Sequence, residues 1–243
     1  MVINEDTRLN QVKVALLRYI TQNQLKRNDQ LPSEAAISKT LGVSRNTLRE
    51  AYISLENDGV IIRRHGIGTF IAHSPVIQDS LNDFLPFGQM IQNSGYTPHF
   101  ETLSMTFEFC SSDIYEVFNV PDTTKIRRIN RIVRADRKPV ILVADYFSPK
   151  IESPNIQWQT FDGNTVQFLS GYLETPLNHI QSSIRAAAVL PENSDYLELE
   201  VGTPILSVQS IIYAVDNTPI TFSKICFNSN IVELNTVRNI RCK

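Results

Sequence analysis

Ser33, Gly42, Ser44 and Gly59 divide the stretch after Leu31 into two helices that cannot merge into one. Ser33 is a natural N-cap, followed by Glu34 in the first turn, where the helix dipole favours an acid. A short helix follows, with Ile37 and Leu41 facing inward, and Gly42 supplies a left-handed stop. Ser44 then caps a third helix from Arg45 to about Asp58, whose buried stripe is Leu48, Ala51, Tyr52 and Leu55. Upstream, Leu9, Val12, Leu16, Leu17 and Ile20 recur at helical spacing, which predicts an amphipathic first helix from about Thr7 to Gln22. Two short helices hinged at Gly42-Val43 form a helix-turn-helix, a unit that sets the N-terminal residues of its second helix in the DNA major groove.

The outward residues at that position are Arg45, Asn46, Thr47 and Arg49. Arginine can fork onto guanine, asparagine can pair with adenine, and threonine can bond a phosphate or touch a thymine methyl. Beyond Gly59, the runs Val60–Arg64 and Thr69–Ile71 flank His65-Gly66-Ile67-Gly68. This predicts a hairpin, or wing, with Arg64, His65 and Gly66 at its tip. Residues 1–73 carry ten Lys/Arg against seven Asp/Glu, a net of +3, whereas the remainder nets −5. A basic head on an acidic body suits a polyanion-binding module joined to one of another kind.

Composition narrows the other classes. No run approaches the roughly 20 apolar residues of a membrane span, and MVINEDTRLNQ lacks the apolar core of a signal peptide, so a cytoplasmic protein is expected. Cys110, Cys226 and Cys242 are scattered without a CxxC pair, which points to reduced thiols. His65, His73, His99 and His179 show no ligand spacing, so neither a metal nor a cofactor is expected.

His73 to Phe87 reads as a polar linker, with a short helix from about Phe84 to Asn93. Beyond Pro98 the chain becomes β-rich and repeats an order of strand, helix and hairpin. The first set is Glu101–Cys110, Asp113–Asn119, Ile126–Arg134 and Val140–Phe147. The second is Ile180–Leu190, Asn193–Glu200, Ile205–Val215 and Ile220–Phe227. Asp136 and Asp216, like Pro139 and Pro219, stand 80 residues apart. The repetition predicts an internally duplicated α+β domain. The expected boundaries are 1–73 for the winged helix-turn-helix, 74–87 for the linker and 88–243 for the sheet domain.

The run LPSEAAISKTLGVSRNTLREAYISLENDGVIIRRHGIGTFI, residues 31–71, resembles the DNA-binding domain of the GntR family along its whole length. The resemblance implies DNA contacts from Ser33, Ser44, Arg45, Thr47, Arg49, His65 and Gly66. The family commonly has arginine directly after PSE, where Ala35 stands here; this implies one base contact fewer per half-site, or one supplied by Asn46. In the C-terminal part, Ser94–Pro98, Ile129–Asp136 and Asn217–Ser223 resemble the HutC subgroup. Its UTRA effector domain has a chorismate-lyase-like fold around an antiparallel sheet.

That resemblance implies a transcriptional regulator, by family analogy a repressor, whose DNA affinity is set by a small molecule bound over the sheet. It puts Arg131 where an arginine holds an anionic group. Sugar-phosphate sensors add an arginine where Val133 stands and glutamates where Val143 and Thr221 stand. These departures favour a smaller or less hydroxylated anion. Gly88 and Gln89 offer backbone N–H groups at a helix start, and Asp145, Asn164, Thr221 and Ser223 are the other polar candidates. One winged domain reads too few base pairs for genomic specificity, so a homodimer on a palindromic operator is expected. Two alternatives stay open: a ligand-independent DNA binder, and a lyase-like enzyme fused to a DNA-binding domain. No nucleophile–base pair or cofactor loop favours an enzyme.

Overall fold

The computed structural model describes residues 5–23, 25–26, 28–57, 60–72, 77–80 and 84–235. The chain forms two units, one of 1–79 and 89–97, the other of 80–88 and 98–243. Gly59, His73, Cys242 and parts of the expected linker (74–76 and 81–83) lie outside the described residues.

In the first unit, α1 (Glu5–Gln22), α2 (Glu34–Leu41) and α3 (Arg45–Asn57) precede a hairpin of β1 (Ile61–Arg64) and β2 (Gly68–Ile71). The caps act as expected. Ser33 Oγ accepts from the Ala36 N–H, and Gly42 closes α2 in the left-handed region at φ 66°. Ser44 Oγ accepts from the Thr47 N–H at 3.2 Å. Leu16, Ile20, Ile37, Leu48, Tyr52, Leu55 and Ile61 are fully buried in one apolar cluster. β1 and β2 pair antiparallel, with Arg64 opposite Gly68. The Gln30 side chain donates to the Ile67 carbonyl at 3.0 Å and so ties the wing turn to the chain before α2.

Within the expected linker, Ile77–Ser80 is a strand, β3, with Ile77 buried. The helix expected from Phe84 starts later, as α4 (Phe87–Asn93). From Gln89 through Thr97 the chain groups with the first unit. There Gly95, at φ +87°, meets α1 so closely that an added Cβ would lie 2.6 Å from the Arg18 nitrogen.

The second unit is built on a six-stranded antiparallel sheet. Its first half is β4 (Pro98–Glu108), α5 (Ser112–Phe118), β5 (Ile126–Ala135) and β6 (Lys138–Phe147). After two 3-10 turns, Pro149–Ile151 and Trp158–Thr160, and α6 (Thr165–Ser170), the second half follows: β7 (Leu177–Ala188), α7 (Pro191–Leu197), β8 (Pro204–Ala214) and β9 (Pro219–Phe227). A short β10 (Val232–Asn235), not foreseen from the sequence, ends the described chain. The sheet order β4-β5-β6-β9-β8-β7 joins the halves along β6 and β9, in a pseudo-symmetric arrangement.

The duplication extends to backbone detail. The helices α5 and α7 end on left-handed Asn119 and Glu198. The β5–β6 and β8–β9 ladders each shift register near the turn, after Val133 and after Ile212. Pro139 and Pro219 pair with Arg134 and Tyr213 respectively, so the second turn is one residue longer, and the left-handed residues in the two turns are Asp136 and Asn217. α5 packs over Ile126, Tyr146 and Phe222, and α7 over Ile132 and Ile205 on the same face. The opposite face carries Ile129 and Phe147 under Trp158, Phe161 and Leu169.

Candidate nucleic-acid interface and sensing site

Arg45 and Asn46 open the recognition helix and are exposed, as are Arg64, His65 and Gly66 on the wing. The hydroxyls of Ser33 and Ser44 cap helices, and Ser44 also shares a 2.8 Å hydrogen bond with Thr47. The Arg64 guanidinium lies over the Phe70 ring at 4.7 Å, which stiffens the wing.

Two participants were not foreseen. Arg49 is exposed, but its Nε donates to Glu34 Oε2 at 3.0 Å. The other oxygen of Glu34 accepts from Arg63 Nη2. The Arg63 guanidinium also stands 5.6 Å from the Tyr52 ring centre, and the Arg63 backbone N–H donates to Glu56 Oε1 at 3.1 Å. Burial pushes the Glu34 carboxyl up, but hydrogen bonds from Arg49 and Arg63 outweigh it and hold the group below its usual range. In the core beneath, burial pushes the Tyr52 phenol up to about 12. Glu34 was legible only as a first-turn acid, because its partners lie in other elements.

In the second unit, Arg131 is 4% exposed and Asp145 1%, and they form a direct pair, Nε to Oδ2, at 2.8 Å. Ser223 Oγ donates to the other Asp145 oxygen at 2.5 Å. Arg131 Nη1 donates to the Gly163 carbonyl at 2.8 Å, and Nη2 reaches Thr165 Oγ1 at 3.4 Å. The rings of Phe87 and Phe161 stand 5.6 and 5.7 Å from the guanidinium carbon. Ser210 lies opposite Ser223 in the ladder and shares a hydrogen bond with Ser182 at 2.8 Å. A polar row therefore crosses this face of the sheet, from Arg131 through Asp145, Ser223 and Ser210 to Ser182.

Arg131, expected as the counterion of an anionic ligand, has an internal partner in this geometry. The guanidinium already has a buried carboxylate partner, because a bare charge at such depth would be costly. The structure brings Arg131, Asp145 and Ser223 together. Thr221 lies two residues along β9, its hydroxyl buried without a protein partner. Asn164 is the N-cap of α6, accepting from the Gln167 N–H at 3.2 Å. Gly88 abuts Phe100: an added Cβ would lie 3.3 Å from that ring. Gln89 belongs to the first unit and is tied along its own helix to Asn93 at 2.8 Å. The neighbouring arginines of β5 pair nearer the surface: Arg127 with Glu152, Arg128 with Glu108 and Arg134 with Glu198.

Among the described residues no group of three or more His, Cys, Asp or Glu side chains is placed to hold a metal ion. No described helix is long and apolar enough to cross a membrane. Cys110 and Cys226 are free thiols, and burial pushes both up in pKa.

A winged helix-turn-helix joined to a duplicated antiparallel-sheet domain defines a DNA-binding regulator with an effector-type second domain. The chain belongs to the gntR family of bacterial regulatory proteins, whose model matches residues 9–71, and it carries a UTRA domain over residues 93–233. It is 30% identical over 213 residues to the HTH-type transcriptional regulator Rv0792c of Mycobacterium tuberculosis, covering 86% of this chain and 78% of that one. The HTH-type transcriptional repressor NagR of Bacillus subtilis is 21% identical, with 88% and 87% covered. The crystal structure of PhnF from Mycobacterium smegmatis shares the fold, with a TM-score of 0.67, 18% identity and coverage of 95% and 100%.

Proposed function

We propose that this protein is a cytoplasmic transcriptional repressor of the HutC subgroup that binds a palindromic operator as a homodimer and is controlled by a small anionic metabolite. The observation that carries the DNA reading is the exposed set Arg45, Asn46 and Arg49 at the start of a capped helix, in the same unit as the wing Arg64–Gly66. Ser44 and Thr47 hold that helix start, Ser33 holds the start of α2, and all three contact phosphates or bases through their remaining hydroxyl capacity. Support for repression comes from relatives named as repressors, including NagR and MngR, the mannosyl-D-glycerate transport/metabolism system repressor of Escherichia coli.

For the effector, the polar row around Arg131 is the best-supported binding place, with Asp145, Ser223 and Thr221 beside it. An anionic group reaches Arg131 either through the remaining Nη hydrogens, beside the internal pair, or by displacing Asp145, in competition with it. A ligand changes operator affinity only if it binds the two DNA-binding states unequally, and the coupling is reciprocal.

The test begins with duplexes that the wild-type protein selects from a random pool. Arg45→Ala and Arg49→Ala are each expected to weaken the selected duplex by about 1–3 kcal/mol while changing a scrambled duplex less. Unchanged affinity in both variants removes the recognition-helix assignment. A thermal-shift screen with small anionic metabolites follows. A true effector raises the melting temperature, and operator DNA shifts its affinity by the same factor by which it shifts operator affinity. A strictly monomeric protein that still binds the selected duplex tightly refutes the dimer.

A further inference from the structure

A carboxylate at a DNA-reading surface repels phosphates, so its presence there calls for a compensating role. Glu34 is such a group. It opens α2, yet its two oxygens bind an arginine of the recognition helix and an arginine of the wing strand, Arg49 and Arg63. One side chain thereby ties α2, α3 and β1 together. Stabilisation is a weak explanation for the Arg49 arm, because that side chain is 60% exposed and open ion pairs contribute little.

The geometry supports a different role. Glu34 takes only the Nε of Arg49, which leaves the Nη edge available for a two-pronged contact. An exposed arginine otherwise samples many rotamers, and ordering it before contact removes an entropic cost from binding. Arg63, whose guanidinium lies against the Tyr52 ring, holds the other carboxylate oxygen from behind, so Glu34 does not swing away with Arg49. We propose that Glu34 is a specificity-determining positioning residue, which holds Arg49 in the orientation that reads a base. This rests on the proposed DNA contact of Arg49.

The experiment is a double-mutant cycle of Glu34→Ala and Arg49→Ala in the full chain, read by anisotropy on a wild-type-selected duplex and on a scrambled duplex of equal composition. Glu34→Ala is expected to lower affinity for the selected duplex about tenfold, the low end of a single bidentate contact. Affinity for the scrambled duplex should stay level or rise, since a negative charge has left the surface. The double variant should bind the selected duplex no more weakly than Arg49→Ala alone. Additive losses, or equal changes on both duplexes, overturn the proposal. If Glu34→Ala lowers the melting temperature enough to impair folding, Glu34→Gln is read by the same two criteria. Failure of the wild type to select any duplex overturns the DNA-reading function itself. A selected duplex whose discrimination survives Glu34→Ala overturns this proposal alone.

Discussion

Replacing Asp145 with alanine is expected to destabilise the C-terminal unit by about 3–5 kcal/mol, the usual cost of leaving a buried charge without its partner. Arg131 would keep its positive charge at 4% exposure, and the Ser223 hydroxyl would lose the carboxylate it donates to. The protein's one tryptophan, Trp158, packs in the core of this unit against Phe147, so urea unfolding followed by its fluorescence reports on this unit. Removing both charges, as Arg131→Met with Asp145→Ala, should recover much of the loss, because an ion pair replaced by apolar groups is often neutral. A loss below about 1 kcal/mol for Asp145→Ala would show that Arg131 does not depend on that carboxylate.

Gly95→Ala is expected to cost the first unit about 2–5 kcal/mol, from two additive sources. The backbone sits at φ +87°, where an L-residue loses about 1–2 kcal/mol. Its new Cβ would also stand 2.6 Å from the Arg18 nitrogen and 2.8 Å from the Leu17 carbonyl carbon. Those are backbone atoms of α1 and cannot rotate aside, so overpacking adds about 1–3 kcal/mol. Gly66→Ala is the control: its φ is +73°, but nothing lies within 4 Å of the added carbon. Far-UV melting of the two variants separates conformational cost from collision. Equal losses would show that the contact with α1 contributes nothing.

How much of this was legible depended on how far apart the interacting residues lie in the chain. The stop at Gly42 and the caps at Ser33 and Ser44 were readable because each involves backbone groups within a few residues. The two Asp-x-x-Pro turns marked both hairpins. The spacing of 80 matches Pro139 to Pro219, which pair with Arg134 and Tyr213, but it hid the one extra residue of the second turn, where the left-handed residue is Asn217 rather than Asp216. Gly95 was readable as the end of a short helix, but not its seat against Leu17 and Arg18. The strand β3 was missed because the sequence around it, with Ser74-Pro75 before and polar residues after, reads as linker.

The sequence by itself determined the helix-turn-helix with its wing, the strand–helix–hairpin repeat and the residues that open the recognition helix, all of which follow from capping, turn chemistry and periodicity. Only the tertiary structure decided which charges meet. Arg127, Arg128, Arg131 and Arg134 share one strand, and the pleat sends Arg127 and Arg131 to the same face. Yet only Arg131 is buried: it lies mid-strand between Phe161 and Phe87, whereas Arg127, near the strand's start, pairs with the part-exposed Glu152. Asp145, the partner of Arg131, lies on the adjacent strand, and Ser223 lies on the strand after that, where β6 joins β9. The pairing of Glu34 with Arg49 and Arg63 has the same origin. Such contacts depend on sheet order and helix packing, which bring together residues whose separation along the chain follows no local period.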